Sequence, residues 1–237
     1  MILPDVGARN CRPELMDTRD LAPEHLASAL RALARVNMLS RVALRIWSEV
    51  RRLHKGGVPR PIRVLDVACG GGDVAVSLAR RAARSGLDIE IDGCDVNQAA
   101  LEIARQSSKR AGVSVRFFEL DALRGEISDN YDIVCSSLFL HHLGDADAVA
   151  LLAAMADRSH RTLLVQDLRR TVTGYILAYS VLRVISRSDV AHTDGLRSVE
   201  GAFSLEEARD LAERAGLDSA RVEPCWPQRF RLIWHRA

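Results

Sequence analysis

The hydrophobic positions near the start of the chain repeat with a helical period. Apolar residues recur every three or four positions from residue 26 to residue 50, the spacing that places them on one face of a helix. Ala22-Pro23-Glu24 is a typical helix start, because proline is favoured at the first helical position. The pattern predicts an amphipathic helical segment with a break near Asn37–Ser40.

From residue 63 onward, short apolar runs alternate with helical patterns. This alternation is typical of right-handed β-α-β units, which build a parallel sheet with helices on both faces. The last two runs are separated only by residues 224–227, so we expect them to pair as antiparallel strands. The predicted strands cover 63–67, 89–94, 113–119, 131–136, 162–166, 219–223 and 229–234, and the predicted helices cover 74–84, 98–111, 146–156 and 205–215. The fold class is therefore α/β, with a mostly parallel seven-stranded sheet and an antiparallel C-terminal strand pair.

A Gly/Pro cluster at residues 55–61 separates the two patterns, because it cannot continue a helix. We therefore divide the chain into an N-terminal helical lid over 1–55 and one compact unit over 56–237. A length of 237 residues suits a single α/β unit. With 48% hydrophobic and 27% charged residues, the composition excludes a disordered, collagen-like or disulfide-stapled chain.

Charge and cysteine usage limit the partners. The 33 Lys and Arg residues offset 31 Asp and Glu residues, whereas nucleic-acid-binding proteins usually carry a clustered basic excess, so no nucleic-acid partner is expected. The five cysteines show no CxxC pair and no metal-ligand spacing with histidine, so no metal site is predicted. The absence of a signal-like start and of an apolar run of ~20 residues predicts a cytoplasmic protein without a membrane span. Both a monomer and a homodimer stay open.

A glycine-rich turn between the first predicted strand and the next helix carries the strongest functional signal. It reads Asp66-Val-Ala68-Cys-Gly70-Gly-Gly72-Asp73. Small residues there let the backbone turn tightly and approach a ligand without interference from a Cβ atom. Such a turn lies where open α/β sheets bind ligands. The alternative is a purely structural β-α turn.

Three familiar uses of such a turn are excluded by the sequence. An ATP-binding loop requires Gly-Lys-Ser/Thr, and neither Lys55 nor Lys109 follows a glycine. The dinucleotide fingerprint requires a third glycine where Asp73 stands, and a carboxylate there would repel a pyrophosphate. No tyrosine has a lysine four residues later, as a short-chain reductase needs. A cationic nucleoside without phosphate fits better, since Asp66 and Asp73 bracket the turn with negative charge.

Acidic residues also end the next two predicted strands. Asp95 ends the second strand and is suited to accept hydrogen bonds from both hydroxyls of a ribose. Asp121 ends the third and is suited to accept from an exocyclic amine of a purine. Any one of these acids would also serve as a helix cap. Together with Asp66, they place acids at three successive strand ends, which favours a binding role.

Taken together, the glycine-rich turn, Asp95, the pair Asp121-Ala122 and Leu140-His-His-Leu143 resemble the class I S-adenosylmethionine-dependent methyltransferases over roughly residues 60–170. The resemblance implies a Rossmann-like fold and S-adenosylmethionine as cofactor. It places Gly70 and Gly72 against the methionine portion, and it leaves Ala68 where the family usually has glycine. The cofactor-binding residues that it implies are Asp66, Ala68, Gly70, Gly72, Asp95, Val96, Asp121, Ala122, Ser137 and Leu138.

Shorter segments resemble particular groups of that family. Asn37, Ser40 and Arg45-Ile-Trp47 are similar to a pattern of quinone-biosynthesis methyltransferases, although the gap from Asn to Ser is one residue shorter here. Residues 166–170 and 192–195 resemble bacterial methyltransferases of polyketide-type pathways. These resemblances imply a small, apolar or aromatic hydroxylated acceptor such as a phenol, a polyketide or a quinol-like metabolite.

A hydroxyl acceptor with a high pKa requires a general base, and histidine is the usual choice. The candidates are His141, His142 and His192, of which the last lies in a polar stretch that the sequence predicts as a loop. Each has a structural alternative: the His-His pair is common in this fold, and His192 would otherwise be an exposed loop residue. Arg169, with Arg170, is a candidate anchor for a carboxylate or phenolate, or a cap of the fifth strand.

The acceptor side of the site is less defined by the sequence. The apolar stretch 172–185 is predicted either as core or, together with the N-terminal helix, as a lid over an apolar acceptor. An RNA or protein methyltransferase and a non-catalytic S-adenosylmethionine-binding protein stay open as alternatives. The adenine-N6 enzymes that act on nucleic acids carry Pro-Pro-aromatic after strand four, whereas this chain has Ser136-Ser-Leu-Phe139.

Overall fold

The computed structural model describes residues 6–18 and 21–236, and a seven-stranded sheet forms its centre. The strands are β1 (Ile62–Val67), β2 (Ile89–Asp95), β3 (Arg116–Glu119), β4 (Tyr131–Ser137), β5 (Ser159–Leu168), β6 (Arg221–Cys225) and β7 (Arg229–His235). Their order is β3-β2-β1-β4-β5-β7-β6. The first five strands are parallel, and β7 runs antiparallel to both β5 and β6. The predicted fold class is confirmed.

Eight α-helices surround the sheet in the described ranges. They are α1 (Pro23–Leu39), α2 (Val42–Lys55), α3 (Asp73–Ser85), α4 (Gln98–Ala111), α5 (Asp145–Arg158), α6 (Val172–Ile185), α7 (Asp189–Gly201) and α8 (Leu205–Arg214). The predicted helices are all present. The segment around His192 is a helix rather than a loop. Ser188 caps this helix by accepting a hydrogen bond from the Ala191 N–H.

Both faces of the sheet are buried, because successive apolar side chains of the central strands point to opposite faces. Val64 and Ile133 face one side, where they pack with α2, α3 and α4. Leu65 and Val134 face the other, where they pack with α5 and α8. Burial of each such side chain contributes about 1.5–3 kcal/mol. The two cores hold the carboxyl ends of β1, β2 and β4 at one edge of the sheet.

The two N-terminal helices have different tasks. They meet at Arg41, which has a φ of 56°, and this corner confirms the predicted break. Helix α2 packs Ile46 and Trp47 into the core beside the sheet. Helix α1 instead packs against α4 and α7 near the edge of the sheet that carries the glycine turn. The division at residue 55 stays a prediction. Of the two N-terminal helices, α1 covers this edge of the sheet and α2 does not.

Helices α6 and α7 complete that cover. They lie between β5 and α8 in the chain and pack against each other and against α1. The apolar stretch 172–185 is therefore a helix of the cover, as one of the two sequence interpretations expects. In the described ranges, none of the helices has the length and apolar character needed to cross a bilayer.

Candidate active site

A cavity of about 880 Å³ lies between the strand ends and the three covering helices. Its polar wall includes Ala68 and Gly70 after β1, Asp95 at the end of β2, and Asp121 after β3. Its apolar wall consists of side chains from the cover, namely Leu26, Leu30, Leu33, Val36, Leu177, Ala178, Val181 and Leu182. A cleft of this size at the carboxyl edge of a parallel sheet is a typical ligand site.

The glycine-rich turn adopts left-handed backbone conformations. Ala68, Gly70 and Gly72 have φ values of 55°, 51° and 71°. Ala68 therefore holds a strained conformation that glycine would adopt freely, and strain of this kind is typical of functional sites. At Gly72 an added Cβ would lie 2.8 Å from the Ala104 Cβ. Gly72 thus packs against α4 rather than lining the cavity, whereas Ala68 and Gly70 do line it.

Asp95 joins the end of β2 to this turn. Its Oδ2 accepts a hydrogen bond from the Gly70 N–H at 2.8 Å, and its Oδ1 accepts from the Asn97 N–H at 2.9 Å. Burial raises the pKa of Asp95, opposed by these backbone donors. Each carboxylate oxygen keeps acceptor capacity for a ribose hydroxyl. Beside it, Val96 is 62% exposed and offers an apolar face to the cavity.

The wall of the cavity after β3 is formed by Asp121 and Ala122. Asp121 Oδ1 accepts from the Leu123 N–H at 3.0 Å, while Oδ2 lies 3.9 Å from Arg124. Oδ2 is therefore available to an amine. Ser137 and Leu138 line the opposite side. Leu138 has a φ of 55° because its N–H turns back to the carbonyl of Gln166 at 3.0 Å.

The two acids that bracket the turn are not equivalent. Asp66 is 1% exposed, lies behind the turn and does not line the cavity. Its Oδ2 has no hydrogen-bond partner in the described ranges, and burial followed by the charge of Asp73 raises its pKa well above the usual value. Asp73 lines the cavity and accepts from Asn37 Nδ2 at 3.2 Å. The residues that suit S-adenosylmethionine are therefore those that line the cavity, namely the open backbone at Ala68 and Gly70 and the carboxylate of Asp95, rather than Asp66.

His141 is a buried cation rather than a base. It is 4% exposed, with Nδ1 at 2.6 Å from Asp167 and Nε2 at 3.4 Å from Glu14. Burial opposes a charge on the ring, but Asp167 and Glu14 together raise the pKa of His141 to about 10. It therefore holds its proton at neutral pH and ties the segment before α1 to the turn after β4.

His141 and His142 both line the cavity, and His142 is the more exposed of the two, with 20% of its side chain accessible against 4% for His141. The Nδ1 of His142 lies 3.0 Å from Asp17 Oδ2, and its Nε2 lies 3.8 Å from Glu14. The ring stacks against His141 with a centroid distance of 4.4 Å. Glu14, His141 and His142 are also the described group closest to a metal-ligand arrangement, with ligand atoms within 4.8 Å of one another. Their ion pairs already account for this proximity.

The structure corrects the expected positions of His192 and Arg169. His192 donates from Nε2 towards the carbonyls of Leu182 and Ser186, at 3.2 and 2.9 Å, and its side chain lies outside the main cavity. The reason is that α7 turns this face towards a separate cleft of about 240 Å³. Arg169 pairs through its backbone with Gln228 and likewise does not line the cavity.

One cavity residue had no signal in the sequence. Arg229, the first residue of β7, is 1% exposed and lines the cavity. Its Nη1 donates to Asn37 Oδ1 at 3.2 Å. Burial lowers the pKa of Arg229 to about 10, so it stays charged at neutral pH. A pairing between β7 and Leu168 of β5, distant in sequence, brings it there.

The His141 cluster gives the fold a pH dependence. The pKa of His141 is raised from 6.5 to about 10, so its contribution is complete below pH 6.5 and is lost as pH rises towards 10. Glu14 and Asp167 have lowered pKa values and lose their contribution only in acid. We expect the free energy of unfolding to fall across the alkaline window by at most about 1.4 kcal/mol per pH unit.

Urea unfolding of the wild type and of His141→Asn between pH 6.5 and 10 checks this. The variant should be less stable at pH 6.5 and should show a flatter profile. Equal slopes in the two proteins would show that another group causes the pH dependence.

Comparisons with known proteins identify a methyltransferase domain in the chain. Residues 64–160 match the family described as methyltransferase domain. The ubiquinone biosynthesis O-methyltransferase of Cupriavidus pinatubonensis is 26% identical over 162 residues, which cover 66% of this chain and 60% of that protein. The protein of the same name from Bordetella parapertussis is 28% identical over 196 residues, covering 74% and 79%.

Solved structures show the same fold. A putative O-methyltransferase from Nostoc punctiforme has a TM-score of 0.60 at 20% identity, covering 92% of this chain and 63% of that one. A magnesium protoporphyrin IX methyltransferase from Synechocystis with bound S-adenosylhomocysteine has a TM-score of 0.58 at 19% identity, covering 85% and 87%. Residues 64–160 therefore form a methyltransferase domain, and the solved structures share its fold.

Proposed function

We propose that the protein methylates a hydroxyl group of a small apolar or aromatic acceptor, such as a phenol, a polyketide or a quinol-like metabolite. One observation carries this proposal. The cavity that contains Asp95 and Asp121 continues into an apolar chamber under α1 and α6. Cofactor and acceptor would therefore occupy one enclosed volume, as direct methyl transfer requires.

When bound, S-adenosylmethionine would supply an activated methyl group, which it carries on a sulfonium. The chain holds and orients the two partners, and orientation of this kind contributes about 7–11 kcal/mol to such reactions. Asp95 binds the ribose and Asp121 the adenine amine, while Val96 lies against the base. Asp73 places negative charge in the wall near the turn.

The covering helices exclude water from the acceptor. Leu30 and Leu33 of α1 line the cavity together with Leu177 and Val181 of α6. Water exclusion favours the reaction because the positive charge of the donor is lost in it. The apolar lining also selects an acceptor with an aromatic or lipid-like body.

His142 is the proposed general base. Its Nδ1–H donates to Asp17, which leaves the Nε2 lone pair to accept the proton of the acceptor hydroxyl. Glu14, 3.8 Å from Nε2, would stabilise the imidazolium that forms. His141 is unsuited to this task because it is already protonated.

The relatives support the class of acceptor. Two of them are named as O-methyltransferases of ubiquinone biosynthesis, and one structural neighbour as a putative O-methyltransferase. The near balance of 33 basic and 31 acidic residues offers no reason to prefer a nucleic-acid substrate. A cytoplasmic location and a monomeric or homodimeric state stay predictions.

A panel assay tests the proposal. The protein is incubated with methyl-labelled S-adenosylmethionine and with catechols, hydroxyquinols and hydroxylated polyketides, each beside its aryl-amine counterpart. We expect methyl ethers of the hydroxylated compounds, detected by mass spectrometry. Methylation of the amines alone, or of RNA or protein alone, would contradict the proposal.

A further inference from the structure

Arg229 is a buried arginine without an acid partner. Only 1% of it is exposed, and its Nη2 has no hydrogen-bond partner among residues 6–18 and 21–236. Within those same ranges, no carboxylate oxygen lies within 4.0 Å of its guanidinium. Its Nη1 donates instead to a neutral group, Asn37 Oδ1, at 3.2 Å. Burying a charge in this way is costly unless a counterion is supplied.

A second buried arginine shows how this chain satisfies such a charge elsewhere. Arg170 makes a two-pronged contact with Glu207, at 2.8 and 2.6 Å, and donates to the carbonyl of Ala202 at 2.7 Å. It lies outside the cavity. The difference between the two arginines is therefore the missing anion at Arg229, which is the one that lines the cavity.

Asn37 orients Arg229, whereas the carboxylates of Asp167 and Asp73 stabilise its charge only from beyond ion-pair distance. Asn37 uses both ends of its amide, since Oδ1 accepts from Arg229 and Nδ2 donates to Asp73 at 3.2 Å. Arg45, nearby on α2, donates only to neutral oxygens, among them Gln166 Oε1 at 3.3 Å and the carbonyl of Trp226 at 3.0 Å. Within the described part of the chain, Arg229 and Arg45 are thus two neighbouring cations without an ion pair.

We infer that Arg229 is an oxyanion-binding residue of the cavity, and that its guanidinium, which has no ion-pair partner in the described ranges, takes a carboxylate or phenolate oxygen of a bound molecule. A guanidinium suits this task because its planar fork matches such oxygens. Strand register places Arg229 opposite Leu168, at the end of β5. The choice of bound molecule rests on the proposed function, and the anion has two sources: the acceptor, or the methionine carboxylate of the cofactor.

Paired ligands separate these sources in titration calorimetry. S-Adenosylhomocysteine carries the amino-acid carboxylate, and 5′-methylthioadenosine shares its nucleoside and thioether but lacks it. On the acceptor side, a hydroxybenzoate is compared with the same phenol without the carboxylate. In one of the two pairs, Arg229→Gln should weaken the binding of the ligand that carries the carboxylate about 10- to 100-fold. The affinity for the ligand without the carboxylate should stay unchanged. Arg229→Lys, which keeps the charge and loses the fork, should fall between.

The affected pair identifies the source of the anion. Equal affinities of wild type and Arg229→Gln for both pairs would overturn the inference. Binding is measured without turnover, so a protein that binds these ligands but fails to methylate hydroxyls would contradict the proposed function alone.

Thermal unfolding separates binding from a structural role. Without ligand, Arg229→Gln should unfold at the same temperature as the wild type or higher, because it removes an unpaired buried charge. Arg170→Gln should unfold at a clearly lower temperature, because it leaves Glu207 without its partner. A destabilisation of Arg229→Gln equal to that of Arg170→Gln, with unchanged ligand affinities, would show that Arg229 is structural.

Discussion

Asp95→Asn should weaken the binding of S-adenosylhomocysteine at least about a hundredfold. Both oxygens of Asp95 accept backbone hydrogen bonds, from Gly70 at 2.8 Å and from Asn97 at 2.9 Å. An amide in its place must turn its NH₂ group towards one of these N–H donors. The variant therefore loses the charge-assisted bonds to the ribose and also the anchor that shapes the turn.

Titration calorimetry measures this effect, with Glu90→Gln as the matched control. Glu90 lies on the same strand, is exposed and forms a surface ion pair with Arg63 at 3.4 Å. Such pairs contribute about 0–1 kcal/mol, so the control should bind like the wild type. Unchanged affinity in Asp95→Asn would remove Asp95 from the cofactor site.

His142→Asn should lower kcat about a hundredfold and leave the affinity for S-adenosylhomocysteine unchanged. General-base catalysis typically contributes a factor of about 10²–10⁴. Asparagine retains polarity at the cavity wall but cannot accept the proton. Since His142 contacts Asp17 and Glu14 rather than the cofactor-binding acids, the loss should fall on kcat.

His192→Asn is the control for this prediction. Its ring bonds to carbonyls at the end of α6 and lies outside the main cavity, so its kcat should equal that of the wild type. Steady-state kinetics with one methylated phenol decides between the two histidines. Full activity in His142→Asn, or a selective loss in His192→Asn, would contradict the assignment.

The sheet and the positions of Asp95 and Asp121 were predictable because both depend on local patterns. Buried strands and helices differ in hydrophobic period, and parallel strands bring their carboxyl ends to one edge, so Asp95 and Asp121 were expected there. The same reasoning placed Gly72 against a ligand. Its small size is instead explained by packing, because Phe117 and Ala104 lie where a side chain would be.

The acceptor side was less predictable because long-range contacts build it. The polar stretch around His192 suggested a loop, but Ser188 caps a helix and that helix turns the imidazole away from the cavity. Arg229 stands in an alternating strand and gave no functional signal. Only the pairing of β7 with β5, together with the contact to Asn37, brings it to the cavity.

A crystal structure with S-adenosylhomocysteine and a hydroxylated acceptor would test whether cofactor and acceptor share this cavity. We expect the ribose hydroxyls on Asp95, the adenine amine near Asp121, and the acceptor oxygen between the cofactor sulfur and His142. A nucleoside bound away from Asp95, or a sulfur atom that faces solvent instead of the chamber under α1 and α6, would contradict this expectation.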